Sequence, residues 1–127
     1  MFLSYAGEDT DRGAEFAAEL RRRFQEVFNY RDPQSLRVGE HWQDQISRRL
    51  AGSAVGVILF SRHYRESGYC MDEARHLYDG FVTGRAKLLL VKLDDASPPD
   101  LLSSLQYARL SEGSPAEIVE RFMRDLG

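Results

Sequence analysis

Glu73 is the residue of this sequence best placed to do chemistry. It belongs to the stretch Ser61-Arg62-His63-Tyr64-Arg65-Glu66-Ser67-Gly68-Tyr69-Cys70-Met71-Asp72-Glu73-Ala74, four residues after Tyr69 and three after Cys70. A carboxylate on the inner face of a helix can accept hydrogen bonds from hydroxyl groups or face a positive charge that develops on a substrate. An aromatic ring one helical turn earlier lies on the same side and can stack on a planar group. Each has a plainer reading. Glu73 can be an exposed acid favoured near a helix N-terminus by the macrodipole, and Tyr69 can be ordinary packing.

The neighbouring elements decide where such a carboxylate would point. Ala54-Val55-Gly56-Val57-Ile58-Leu59-Phe60 is the most apolar run of the chain, short and rich in β-branched residues, and reads as a strand buried on both faces. After a polar loop, Tyr69, Cys70, Glu73, Ala74, Leu77, Tyr78 and Phe81 recur at helical spacing. This spacing predicts a helix from near Tyr69 to Gly80 or beyond, starting on the edge where strands of a parallel sheet end and ligands bind.

The rest of the chain alternates in the same way. Phe2-Leu3-Ser4-Tyr5 is a short strand broken by Ala6-Gly7-Glu8-Asp9, and Phe16, Leu20 and Phe24 mark the helix that follows. Val27-Phe28-Asn29-Tyr30 is a second strand, followed by a long loop from Arg31 to Glu40 and a helix carrying Trp42, Ile46 and Leu50. Trp42 is best taken as a core anchor. Lys87–Leu93 is a further strand, Leu101–Leu105 can make only a short turn or helix, and Tyr107–Leu110 is a last short strand. Ser114-Pro115-Ala116-Glu117 has the capping-box form ahead of Ile118, Phe122 and Leu126. Five strands alternating with helices predict an α/β fold, a flavodoxin-like, doubly wound parallel sheet in three layers.

The 127 residues, 43% hydrophobic and 29% charged, suit one domain over 1–127 with a single core. An opening strand and a closing helix suit a domain cut from a longer protein. A formal net charge of -3 supplies no basic field for nucleic acid or an anionic membrane, and Arg21-Arg22-Arg23 reads as a solvated helix face. One cysteine, Cys70, excludes an internal disulfide framework and is expected to be a small buried hydrophobe. No apolar run approaches the ~20 residues of a membrane span and no signal peptide is evident, so a cytoplasmic location is expected.

Other motifs are absent or incomplete. Glu73-Ala74-Arg75-His76 has the Glu-x-x-His spacing of di-iron bundles but lacks the second copy and the facing glutamates. His41, His63 and His76 form no metal set, and no glycine-rich phosphate cradle occurs. Asp94 and Asp95 at a strand end resemble half of a receiver-type cation site, without the acidic pair that would complete it after the first strand.

Three stretches in order carry a resemblance. Phe2-Leu3-Ser4-Tyr5-Ala6-Gly7-Glu8-Asp9, the loop from Asp32 to Gly39 with Trp42 and Ile46 after it, and Ser67-Gly68-Tyr69-Cys70-Met71-Asp72-Glu73 resemble a TIR (Toll/interleukin-1 receptor) domain of the bacterial NAD-cleaving branch. The third stretch is similar to that branch's Ser-x-aromatic-Cys-x-x-Glu signature, with Tyr69 where the family often has Trp.

The resemblance implies that Glu73 is the catalytic glutamate and that NAD+ is the substrate, cleaved to nicotinamide and ADP-ribose or cyclic ADP-ribose, with no further cofactor and no metal. It implies a binding shell of Ser4, Tyr5, Ala6, Gly7, Phe28, Arg37 and Tyr69, with loop 32–39 over the site and Arg37 reaching a phosphate. It implies activity on oligomerisation through TIR–TIR contacts of that loop, a fused or bound sensor domain, and a role in bacterial anti-phage immunity. The rival is a non-catalytic adaptor that signals by the same homotypic association.

Overall fold

A computed structural model describes residues 1–24, 27–29, 55–105 and 107–126. Four strands, β1 (Phe2–Ser4), β2 (Val55–Phe60), β3 (Lys87–Lys92) and β4 (Tyr107–Arg109), pair in parallel in the order β1-β2-β3-β4. Helices α1 (Thr10–Arg21), α2 (Arg62–Glu66), α3 (Gly68–Val82) and α4 (Pro115–Leu126) accompany them, with short 3-10 turns at Gly7–Asp9, Asp100–Leu102 and Leu110–Glu112.

The pleat of the strands sorts side chains between two clusters. Leu3 and Tyr5, Val57 and Leu59, and Leu89 and Val91 point one way, onto Phe16 and Leu20 of α1 and Ile118 and Phe122 of α4. Phe2 and Ala6, Ile58 and Phe60, and Leu88 and Leu90 point the other way, onto Tyr64 of α2 and Cys70, Ala74 and Leu77 of α3. Strands covered on both faces must be apolar at consecutive positions, which is why Val57–Phe60 is unbroken. Full burial of each such side chain is worth about 1.5–3 kcal/mol.

Among the described residues the sheet has four strands, where five were expected. Val27–Asn29 runs beside β1 but contributes one parallel bridge, Phe2 to Phe28. Phe28 N–H donates to Met1 O and Leu3 N–H to Phe28 O, each at 3.0 Å. Leu3 O accepts at 2.8 Å from the side-chain Nδ2 of Asn29. Tyr30, the 32–39 loop with Arg37, and Trp42, Ile46 and Leu50 lie outside the described residues. A further departure follows β2, where the polar loop contains the short helix α2.

Gly13 in the first turn of α1 is set by Tyr5. A Cβ at Gly13 would lie 2.3 Å from Tyr5 Cζ, so the phenol ring rests directly on the helix backbone. Helix propensity alone favours alanine there by about 1 kcal/mol. The steric term is the larger, and Gly13→Ala is expected to destabilise the domain by about 1–3 kcal/mol in urea unfolding. In a Tyr5→Leu background the same change should become neutral or stabilising.

The capping box at α4 is formed as its sequence implies. Glu117 N–H donates to Ser114 Oγ and Ser114 N–H donates to Glu117 Oε1, both at 3.2 Å. The backbone bond from Ser114, then its hydroxyl, hold the Glu117 carboxyl below its ordinary value. A lowered folded-state pKa stabilises above the unfolded value, and this is lost as pH falls through the lowered one. Glu117→Gln should therefore unfold more readily than wild type at neutral pH, with the gap closing in acid.

Candidate functional site

The site begins with a parity argument. Along β1 and the residue after it, Phe2 and Ser4 face α3 while Leu3 and Tyr5 face α1, so Ser4 is a buried hydroxyl pointing at a helix. Its register partner in β2 is Ile58. In α3, Cys70, Glu73, Ala74 and Leu77 are the buried residues, the i, i+3, i+4, i+7 face of an amphipathic helix. The phase of the helix is set at its start, where Ser67 Oγ accepts from Cys70 N–H at 3.2 Å.

Strand parity and helix phase meet at Glu73. The carboxylate is 2% exposed, and Ser4 Oγ donates to its Oε1 at 2.8 Å. Glu73 is thus not the solvent-facing acid of the plainer reading. A charge taken out of water needs hydrogen bonds to offset lost hydration, and Ser4 supplies one from the next layer. Ser4 Oγ also lies 2.9 Å from Tyr64 Oη, with the Tyr64 side chain wholly buried.

α2 is fastened to the ends of three strands. Ser61, directly after β2, accepts from Tyr64 N–H at 3.2 Å as the N-cap and donates its own proton to Asp9 Oδ2 in the turn that follows β1. Asp94, just beyond β3, accepts from Arg62 N–H and from Ala96 N–H, each at 2.9 Å. Asp94 therefore serves as a structural cap for α2. Glu8 and His63 approach to 3.4 Å on the exposed side of the same junction.

The predicted binding shell is only partly gathered. Ser4 is in direct contact with Glu73, and Ala6 lies buried on the same side of the sheet. The Tyr5 ring is on the opposite side against Gly13, so the backbone of Tyr5 is what the strand end offers this edge. Gly7 opens a 3-10 turn whose carbonyl accepts from Thr10 Oγ1 at 2.6 Å. Phe28 is buried with its ring centroid 5.2 Å from that of Phe2. Tyr69 is half-buried against the same cluster, and Cys70 is fully buried. Tyr64, Ser61 and Asp9 were not in the predicted set. Their only signal in the sequence is the pair of Ser-x-x spacings, Ser61 to Tyr64 and Ser67 to Cys70, each a serine capping the residue three ahead.

The sequence matches the family described as TIR domain over residues 1–124. The chain belongs to the TIR domain family. It is similar to the disease resistance protein TAO1 of Arabidopsis thaliana, 25% identical over 136 residues that take in 99% of this chain and 11% of that protein. The chain thus spans about a tenth of that relative's length. The TIR fold is shared with the TIR domain of the Toll-related receptor TRR-2 from Hydra magnipapillata, with a TM-score of 0.72 and 14% identity over 98% of this chain and 92% of that one. It is shared also with the TIR domains in the structure of the activated Roq1 resistosome recognising the pathogen effector XopQ, with a TM-score of 0.74 and 17% identity over 99% and 98%. Among the described residues, no helix of this TIR domain is long and apolar enough to cross a membrane.

Ser61→Ala would remove the α2 cap and leave Asp9 without its donor in one step. We expect a loss of about 2 kcal/mol in urea unfolding, the upper end for a capping serine. A loss within a few tenths would show that α2 is not held by this serine.

Proposed function

We propose that this TIR domain cleaves NAD+ at the nicotinamide–ribose bond, with Glu73 as the essential carboxylate. The observation that carries the reading is the buried Glu73, held by Ser4 where β1 ends, within Ser67-x-Tyr69-Cys70-x-x-Glu73. The Glu73 signature is the one the enzymatic branch of the family uses.

The chemistry asks little more of the protein. As the C1′–N bond breaks, its electron pair goes to the pyridinium nitrogen and nicotinamide leaves neutral, so no strong general acid is required. Positive charge grows on the ribose, and a fixed carboxylate beneath the ring stabilises it or accepts from its hydroxyls. Attack by water, with loss of a proton, gives ADP-ribose, and attack by an adenine nitrogen gives the cyclic product. Tyr69 is the candidate platform for the nicotinamide or the ribose, and Ala6 and Gly7 offer a small-residue turn beside the cofactor-sized substrate. Arg37 and loop 32–39 complete the shell in this reading. Because Glu73 is 2% exposed, neighbouring groups must shift before a ribose can reach it.

Association of several copies is the natural trigger for such a shift, and the likeness to TIR domains of an activated resistosome supports it. A sensor domain, fused or bound, would drive that association, and a relative in which the matching segment is 11% of the length supports a multidomain setting. The cellular setting proposed is immunity by NAD+ depletion, of the anti-phage kind in bacteria, in the cytoplasm.

The test is nicotinamide release from NAD+ by wild-type protein, at high concentration and forcibly clustered, beside Glu73→Gln. Removing the charge should lower release by about 10²–10³-fold while leaving the fold intact. Equal rates from the two proteins, or silence from clustered wild type, would overturn the enzyme reading and leave a TIR adaptor.

A further inference from the structure

We propose that Tyr64 is a positioning residue for Glu73, acting through Ser4 as the outer member of a buried hydrogen-bonded chain. The inference rests on Glu73 being the carboxylate of an NAD+-cleaving site.

The direction of the chain follows from counting protons. A serine hydroxyl carries one proton, and that of Ser4 is directed at Glu73 Oε1. An ionised carboxylate, the form that can face a growing cation, only accepts. With Glu73 ionised, the contact at 2.9 Å between Ser4 Oγ and Tyr64 Oη has Tyr64 donating and Ser4 accepting. The order is Tyr64 O–H to Ser4 O–H to Glu73 carboxylate. Each donor polarises the next, so the phenol strengthens the bond that Ser4 gives to Glu73 without touching Glu73 itself.

Tyr64 is also held more firmly than packing alone requires. Its side chain is fully buried, its ring lies 5.7 Å from that of Phe60, and its N–H is bonded to Ser61. Ser61 is in turn tied to Asp9, and Arg62 to Asp94. The phenol oxygen is therefore fixed relative to the ends of β1, β2 and β3. Through Ser4 the Glu73 Oε1 inherits that position. A carboxylate that must sit under a ribose benefits from being placed before the substrate arrives.

The test compares wild type with Tyr64→Phe, Ser4→Ala and the double variant in clustered protein, reading kcat and KM for NAD+. Tyr64→Phe removes one buried oxygen and keeps the ring. We expect kcat to fall about five- to tenfold, the worth of one hydrogen bond feeding a charged acceptor, with KM unchanged because the buried phenol never meets substrate. In the Ser4→Ala background, Tyr64→Phe should cause no further fall. An unchanged kcat, a raised KM, or an equal fall with and without Ser4 would overturn the proposal. Wild-type silence or equality with Glu73→Gln would instead sink the enzyme reading, and Tyr64's part in catalysis with it. The chain itself is read apart from activity, in urea unfolding of the same four proteins. Tyr64→Phe should lower the folding equilibrium constant about fivefold when Ser4 is present and leave it unchanged when Ser4 is absent, whereas purely additive losses would show that no such chain exists.

Discussion

The hydrogen bond from Ser4 to Glu73 is the constraint on which much else in this domain depends. A carboxylate 2% exposed is expensive unless it is bonded, and removing one partner of a buried charge costs far more than the bond contributes when intact. The bond joins two layers, so it fixes three things at once. It requires β1 to keep the parity that aims Ser4 at α3. It requires α3 to keep the phase that turns Glu73 inward with Cys70, Ala74 and Leu77. And it requires the two elements to approach to hydrogen-bonding distance at their functional ends.

The two sides of the sheet divide the work. On the α1 and α4 side the cluster is aliphatic and aromatic, with the Tyr5 ring laid on Gly13 as its tightest point. That face contributes packing, which is tolerant of conservative change as long as volume is kept. The α2 and α3 side mixes the same kind of packing with a polar chain whose members must each be satisfied. Such a chain specifies one arrangement more sharply than apolar packing does, and it fails abruptly if one member is lost. Placing the polar chain where the strands end puts the geometrically strict part of the core next to the candidate chemistry.

What the sequence showed and what it hid follow from signal length. Strand β2 is a six-residue apolar run, β3 has four consecutive apolar residues between two lysines, α3 has seven apolar or carboxylate positions in phase, and α4 has a capping box, so periodicity and capping found all of them. The Glu73 assignment came from a spaced signature, which is a longer pattern still. α2 is five residues, too short to repeat a helical period, and Tyr64 looked like an isolated aromatic in a polar loop. Its importance is a three-body fact involving Ser4, sixty positions away, and no local pattern encodes that separation. The grouping of Ser4 with Tyr5 joins two side chains that the strand sends to opposite faces. Adjacent residues in a strand point to opposite faces, so the pleat sends Ser4 towards Glu73 and the Tyr5 ring into the other cluster. Of the strand expected at Val27–Tyr30, the described residues show one parallel bridge, Phe2 to Phe28.

The edges of the sheet bear on how copies of this domain could associate. Beside β1, the Asn29 amide donates to Leu3 O at 2.8 Å. At the other edge β4 is three residues long, and its Tyr107 ring is 51% exposed with Lys92 Nζ 6.0 Å and Arg109 Cζ 5.8 Å from the centroid. Short edges carrying cations are a means of discouraging strand-to-strand pairing. Among the described residues, neither edge is a long template for sheet extension. Association that runs through side chains and loops depends on shape and charge, and it can be switched by a partner without risking the indiscriminate pairing that an open backbone edge invites. That distinction separates a regulated assembly from aggregation.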